Sequence, residues 1–261
     1  MKKFLSLVAV FFLCFAVSAH SKTSHKTIAL SDVIQNASLT PLSHVESRVR
    51  NSAVKVLVGD SGHGSGTYVT YKKMHFIITA AHVVRLNEQP KIKTEEGEEA
   101  VGKVVYVDNV ADIAVILISK LGTRTPISFS MSRLLPKIGT EITYSGYPSD
   151  HDLLTFRGYV TGFENSERRG RIILIHSYGW PGVSGAGVFD AQGNLIGVAF
   201  AVDVGHHETF QLIEDVVWIT PIDNLDLDLL MTKACKHHQK NPACILHKQK
   251  EKRKRFKKIT K

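Results

Sequence analysis

Short apolar runs separated by glycine and polar residues dominate the chain from residue 53 to residue 220. Each run is about four to eight residues long and rich in Val, Ile, Thr, Phe and Tyr, which is typical of β-strands. The predicted strands are Ala53–Val58, Gly66–Tyr71, His75–Thr79, Gly102–Asp108, Ile113–Ile118, Glu141–Ser145, Phe156–Phe163, Ile172–His176, Gly187–Phe189, Leu195–Val202 and Val216–Thr220. So many short strands at this spacing predict an all-β barrel or sandwich.

A helical segment is predicted only after these strands. Residues 222–232 follow Pro221 and carry Asp223 near their start, which favours a C-terminal helix over Ile222–Thr232. Residues 20–50 are polar and mixed, with one short helix expected to start near Ser31. We therefore expect one folded domain over residues 51–230, between an N-terminal extension (20–50) and a C-terminal tail (231–261).

The N-terminus has the layout of a secretory signal peptide. Two lysines precede an apolar run from Phe4 to Val17, and small residues up to Ala19 offer a cleavage site. The alternative is a membrane anchor, but the run is shorter than the roughly 20 residues that a membrane-spanning helix needs. We therefore expect residues 1–19 to be removed and the protein to be exported, either to a periplasm or out of the cell.

Charge changes this picture mainly at the C-terminus. The composition, 43% hydrophobic and 22% charged over 261 residues, is that of an ordinary soluble protein. The net charge of +9 is concentrated in residues 231–261, which hold twelve Lys or Arg and one acid, Glu251. We expect this tail to be solvated and disordered, with adhesion to an anionic surface as the alternative. Phe256 is the only aromatic residue in the basic run from 248 onward, so specific nucleic-acid binding is not expected.

Two cysteines, Cys235 and Cys244, remain in the mature chain. In an oxidising compartment they could form a disulfide, or they could stay as free thiols. Three histidines lie nearby (His237, His238 and His247), so a metal site is the alternative, but the spacing matches no standard zinc pattern. We expect neither a metal nor a cofactor.

Three segments carry residues with catalytic chemistry. His82 follows an apolar strand and has small neighbours, which would leave its imidazole accessible. Asp112 opens a strongly apolar strand, where a carboxylate needs a donor such as an imidazole N–H. Ser184 is framed by Gly182 and Gly185 on a tight loop before a strand. The order His, Asp, Ser, with gaps of 30 and 72 residues, points to a catalytic triad.

Glycines beside a nucleophilic serine have a physical reason. Acyl transfer builds negative charge on the substrate carbonyl oxygen, and backbone N–H groups must converge on that oxygen. Glycine permits the unusual backbone angles this requires. We expect the N–H groups of Gly182 and Ser184 to form this oxyanion hole, with His82 as the general base and Asp112 holding the imidazole tautomer.

These segments resemble the trypsin-like peptidases of the chymotrypsin fold, and within them the HtrA/Deg-type bacterial branch, here without a PDZ domain. The matching stretches are Gly64–Gly66, Thr79–Val84, Asp112–Val115, Gly146–Pro148, Gly182–Gly187 and Gly193–Val198. The resemblance implies two packed six-stranded antiparallel β-barrels with the site between them. Two positions depart from the branch pattern: Val183 replaces a polar residue, and Ala186 replaces a glycine or proline.

The substrate pocket is predicted only through this resemblance. It implies that Tyr178, Ala199 and Phe200 form the pocket for the substrate residue before the cleaved bond, called P1. No aspartate stands six positions before Ser184, so a small or medium apolar P1 residue is expected. A glutamate-specific pocket using His176 remains open.

The sequence therefore predicts a serine endopeptidase acting on proteins or peptides. The alternative is a catalytically silent trypsin-fold protein that binds or adheres.

Overall fold

The structure, a computed structural model, describes residues 41–59, 62–129, 135–207 and 209–259. The chain divides into two units, Met1–Pro41 and Leu42–Lys261, and every described helix and strand lies in the second unit. The predicted signal peptide and the helix expected near Ser31 lie outside the described residues. Among the described helices, none has the length and apolar character that crossing a membrane requires.

An eight-stranded sheet forms the first half of this unit. Its helices and strands are α1 (His44–Ser52), β1 (Ala53–Val58), β2 (Gly62–Tyr71), β3 (Met74–Ala80), α2 (Ala81–Val84), β4 (Lys91–Lys93), β5 (Glu99–Val101), β6 (Lys103–Asp108), β7 (Ile113–Ile118) and β8 (Ile127–Ser128). The order is β5-β4-β1-β2-β3-β7-β6, and β8 pairs in parallel with β2. This half-barrel sheet corresponds to the expected first barrel, and its described strands number eight instead of six. Strands β4, β5 and β8 are too short for an alternating apolar pattern to identify them.

A closed six-stranded barrel forms the second half and confirms that part of the expected fold. Its strands are β9 (Glu141–Gly146), β10 (Leu154–Ser166), β11 (Gly170–His176), β12 (Gly187–Asp190), β13 (Leu195–His207) and β14 (Thr209–Pro221). The barrel closes in the order β10-β11-β14-β13-β12-β9. Together the two halves have the all-β, double-barrel organisation of the chymotrypsin-like fold.

Strand β7 lies between β3 and β6 in the sheet of the first half and is buried on both faces. Ile113, Val115 and Leu117 pack into one apolar cluster, which also contains residues of the C-terminal helices. The intervening residues, Ala114 and Ile116, pack into a second cluster inside the sheet. This two-sided burial explains why the sequence of β7 is a continuous apolar run instead of an alternating one.

The C-terminal segment contains a 3₁₀ turn and two helices in place of one helix and a tail. These are the turn Ile222–Asn224, α3 (Leu227–Ala234) and α4 (Pro242–Ile259). Helix α3 begins later than predicted because Asp226 is its N-cap, and the Asp226 side chain accepts a hydrogen bond from the Leu229 N–H at 2.9 Å.

A disulfide between Cys235 and Cys244 connects α3 to α4, with the two Cα atoms 5.2 Å apart. Because both sulfurs are in this bond, neither is available to a metal. The cysteines are buried in the same apolar cluster as Met231 and Ala234. The expectation of a disordered tail is therefore wrong for residues 231–247, where burial of these side chains orders the segment.

Helix α1 attaches the start of the domain to the second barrel through Glu46. Glu46 and Ser43 form a capping box at the start of the helix. The buried Glu46 carboxylate also accepts hydrogen bonds from Arg157 on β10, one of them at 2.9 Å from Nη2. The hydrogen bond from Arg157 lowers the pKa of Glu46 to about 2, although burial acts in the opposite direction.

Replacing Glu46 should make the free energy of unfolding depend less on pH in the acid range. The folded-state pKa lies below the ordinary value of 4.5, so Glu46 stabilises the fold above that pH and loses this effect as pH falls towards 2. Because Arg157 is largely exposed, we expect Glu46→Gln to lower the free energy of unfolding by only about 1–2 kcal/mol at pH 6. Urea unfolding should show this difference shrinking towards pH 2. Glu164→Gln, at an exposed position on β10, is the control; a Glu46→Gln deficit that is constant with pH would contradict the assignment.

Candidate active site

His82 lies where strand β3 ends and the short helix α2 begins. Its neighbours Ala80, Ala81 and Val83 are buried, while the His82 side chain is 42% exposed. The Ala81 N–H donates to the backbone carbonyl of Asp112 at 3.1 Å. The strand end therefore fixes the backbone of His82 and directs its imidazole away from the core, as the small neighbouring residues predict.

Asp112 holds His82 through two hydrogen bonds. The His82 backbone N–H donates to Oδ1 of Asp112 at 2.9 Å, and Nδ1 of the imidazole lies 2.9 Å from Oδ2. Asp112 has a φ of 58°, in the left-handed region, and its side chain is only 5% exposed. The preceding turn is stabilised by Asp108, whose carboxylate accepts the backbone N–H groups of Val110 and Ala111. This turn places a buried carboxylate directly against the imidazole.

The environment keeps the Asp112 carboxylate ionised. Burial acts to raise the pKa of Asp112, but the hydrogen bonds from His82 and the nearby charge of Arg169 outweigh it, so the pKa lies below its ordinary value. Arg169 donates from Nη1 to Oδ2 of Asp112 at 3.1 Å. Sequence reasoning missed Arg169, because it lies 57 residues away on a polar turn that carries no motif.

Ser184 lies on a loop whose backbone requires glycine. Gly182 and Gly185 have φ values of 100° and 96°. A Cβ atom on Gly182 would overlap the carbonyl oxygen of Tyr147, and one on Gly185 would overlap that of Ser65. Among the hydrogen bonds of the described residues, the N–H groups of Gly182 and Ser184 are not donors. Both are therefore available to a ligand at this loop.

Ser65 on β2 connects this loop to the first half of the domain. Its backbone N–H donates to the carbonyl of Ser184 at 2.8 Å, and its hydroxyl donates to the carbonyl of Gly182 at 2.7 Å. The same hydroxyl accepts the N–H of Tyr147 at 2.9 Å. Sequence reasoning treated Ser65 only as part of a matching stretch, although its side chain fixes the loop.

The loop and His82 meet at the same part of β2. A Cβ atom on Gly64 would lie 2.6 Å from Cγ2 of Val83, the residue after His82, and 2.9 Å from the carbonyl oxygen of Ser184. Among the described hydrogen bonds, none joins the imidazole of His82 to the hydroxyl of Ser184. In enzymes without a bound substrate such bonds are often long and tighten only in the substrate complex.

A cavity of about 220 Å³ opens beside Ser184. It is lined by Gly179, Trp180, Pro181, Val183, Ser184, Ala199, Phe200, Ala201, Val202 and Val217. Ala199 and Phe200, two of the residues predicted for the P1 pocket, are on its wall. The third, Tyr178, is not in this lining: its ring packs between Phe156 and Trp180 and lines a separate depression together with His176.

The cavity is apolar and narrow. A Cβ atom on Gly179 would come within 2.6 Å of Val217 and would also overlap Val202, so these two valines lie close to the Gly179 backbone. Its lining contains no charged side chain. Val217 escaped sequence reasoning because only the three-dimensional path of β14 brings it to Ser184.

Comparison with known proteins agrees with this arrangement. A family model for a trypsin-like peptidase domain matches residues 64–198, a range that includes His82, Asp112 and Ser184. The serine protease Do-like HtrA of Bacillus subtilis is 25% identical over 194 residues, which are 67% of this chain and 43% of that protein. The chloroplastic protease Do-like 1 of Arabidopsis thaliana is 27% identical over 198 residues, covering 72% and 44%. The chain thus spans less than half the length of these relatives.

Solved structures share the fold. The serine endoprotease from Yersinia pestis superposes with a TM-score of 0.56 at 22% identity, over 71% of this chain and 64% of that one. The inactive form of Rv3671c from M. tuberculosis H37Rv gives 0.54 at 15% identity, over 77% and 91%. These identities are low, so the likeness concerns the fold alone. The family model, however, covers more than half of the sequence, and the chain therefore belongs to the trypsin-like peptidase family.

Proposed function

We propose that this chain is a serine endopeptidase in which Ser184 is the nucleophile, His82 the general base and Asp112 the residue that orients His82. The observation that carries this proposal is the pair of hydrogen bonds from His82 to Asp112. Because Nδ1 is bound to the carboxylate, Nε2 is the nitrogen left to act on a substrate. A tautomer fixed in this way is what general-base catalysis requires.

The reaction follows the acyl-enzyme route. Nε2 of His82 takes the proton of the Ser184 hydroxyl while Oγ forms a bond to the carbonyl carbon of the peptide. The tetrahedral intermediate then breaks its C–N bond, and His82 gives the proton to the leaving amine. A water molecule next transfers a proton to His82 and attacks the acyl group. The C–Oγ bond of this second tetrahedral intermediate then breaks and His82 returns the proton to Oγ, which restores the Ser184 hydroxyl and releases the acid product. Throughout, the Asp112 carboxylate stabilises the imidazolium.

The Gly182 and Ser184 N–H groups would bind the oxyanion in both tetrahedral intermediates. Their lack of a partner among the described residues supports this role, as does the glycine-dependent loop that holds them. Removing one such donor typically costs about 3–4 kcal/mol of transition-state stabilisation. The apolar cavity beside Ser184 would take the P1 side chain, and its volume of about 220 Å³ fits a small or medium aliphatic residue.

The basic C-terminal helix provides a second proposal, binding to an anionic surface. Lys248, Lys250, Lys252 and Arg253 are all exposed on α4, which the disulfide and buried His247 hold against the domain. Leu246 is 66% exposed on the same helix. Exposed lysines beside an apolar side chain suit the headgroup region of an anionic membrane. This fits export of the mature chain, which we propose from residues 1–19.

The nucleophile can be tested with a fluorophosphonate probe. Native protein should be labelled, and Ser184→Ala should lose both labelling and hydrolysis, with kcat falling by about 10⁴-fold or more because the covalent route is removed. Ser128→Ala, which replaces an exposed serine distant in sequence from Ser184, should keep wild-type labelling and hydrolysis. Native protein that is folded yet neither labelled nor active would support the silent binding protein instead.

The cavity can be tested by widening it. Val202→Ala removes a wall side chain, so the ratio of kcat/KM for Phe over Val at P1 should rise by about tenfold. Peptide substrates that differ only at P1 provide the measurement. Val204→Ala, two residues along the same strand and outside the cavity lining, is the matched control. An unchanged Phe/Val ratio in Val202→Ala would place the P1 side chain elsewhere.

The helix can be tested by charge reversal. Lys250→Glu combined with Arg253→Glu should weaken binding to phosphatidylglycerol-containing vesicles by about tenfold or more, since each basic residue contributes about 1 kcal/mol at an anionic membrane. Vesicle sedimentation at low and high salt measures this, and peptidase activity should not change. Lys93→Glu combined with Lys120→Glu makes the same charge change at exposed positions outside the helix. Equal losses in both double variants would mean that net charge, not α4, causes binding.

A further inference from the structure

Arg169 is a charged residue near the candidate triad that neither the motifs nor the proposed mechanism uses. It lies on the turn between β10 and β11, in the second barrel, and it reaches Asp112 of the first half. Its Nη1 donates to Oδ2 of Asp112 at 3.1 Å, and Nδ1 of His82 lies 2.9 Å from the same oxygen. One carboxylate oxygen therefore binds both the imidazole and the guanidinium.

A second contact fixes the Arg169 side chain. Its guanidinium carbon lies 4.9 Å from the centre of the Phe200 ring, a distance at which a cation is attracted to an aromatic face. Phe200 lines the cavity beside Ser184 and packs edge-on against Trp218. Arg169 thus spans from the cavity wall to the carboxylate, and its side chain is 38% exposed.

The charged groups around this carboxylate are few. His82 and Arg169 are the described charged or titratable partners of Asp112. Glu167 and Arg168 lie on the same turn as Arg169, but both are exposed, and neither has a described contact with the carboxylate. The turn therefore offers one arginine that touches Asp112 and, beside it, one that does not.

We propose that Arg169 is a positioning residue for the triad, a role that rests on the proposed peptidase function. By occupying one side of Oδ2, it holds the carboxylate in the orientation in which Oδ2 meets Nδ1 and Oδ1 meets the backbone N–H of His82. A carboxylate buried in this way needs such donors to stay ionised and oriented.

The test compares Arg169→Gln, Arg169→Lys and Arg168→Gln in the full chain. Arg169→Gln should lower kcat/KM by about tenfold, mainly through kcat, because the orienting hydrogen bond is lost. Arg169→Lys, which keeps the charge and a hydrogen-bond donor, should recover most of the wild-type kcat.

The NMR signal of the His82 Nδ1 proton, which is hydrogen-bonded to Asp112, gives a readout in the same variants that does not need catalysis. Its chemical shift should change in Arg169→Gln, because Oδ2 of Asp112 loses its second donor, and stay unchanged in Arg168→Gln, which removes the same charge one residue away. An unchanged signal in Arg169→Gln, or an equal change in Arg168→Gln, overturns the proposal while leaving the peptidase function intact. Failure of wild-type hydrolysis and labelling would instead refute the function, and the NMR signal would still report on Arg169.

Discussion

The hydrogen bonds between the buried Asp112 carboxylate and His82 are the interaction on which the rest of the site depends. Two features of the fold make them possible. Strand β7 is buried on both faces, so the residue at its start is desolvated, and the left-handed backbone at Asp112 turns the carboxylate towards the end of β3. An ionised group in such a place is stable only with several donors, and the backbone N–H and imidazole of His82 supply two of them.

The other half of the site is held by contacts that cross between the two halves of the domain. Ser65 of the first sheet fixes the loop of Ser184 with its backbone and its hydroxyl. In the opposite direction, Arg169 of the second barrel binds the carboxylate of the first sheet. The proposed nucleophile and the proposed base are therefore each stabilised by a residue from the other half. This reciprocal arrangement explains how groups far apart in sequence could keep a catalytic geometry.

Local pattern predicts those parts of the molecule that local forces determine. The bounds of β1 and β7 agree with prediction because their apolar residues are continuous or regularly spaced. The positions of His82 and Asp112 stand out in the sequence because His82 follows the end of β3 and Asp112 directly precedes the start of β7. Contacts over long sequence separation could not be predicted: the roles of Ser65 and Arg169, the position of Tyr178 outside the cavity, and the ordering of residues 231–247 by a few buried side chains. In the last case charge dominated the pattern, while the disulfide and a few buried side chains decide the structure.

A crystal structure of the protein with a peptide boronic acid ending in boronovaline would test the central claim most directly. The account predicts a covalent bond from boron to Oγ of Ser184, and one boronate oxygen about 2.7–3.1 Å from the N–H groups of Gly182 and Ser184. Nε2 of His82 should contact the adduct while Nδ1 keeps its bond to Asp112. An adduct on another residue, or an oxygen directed away from both N–H groups, would contradict the account.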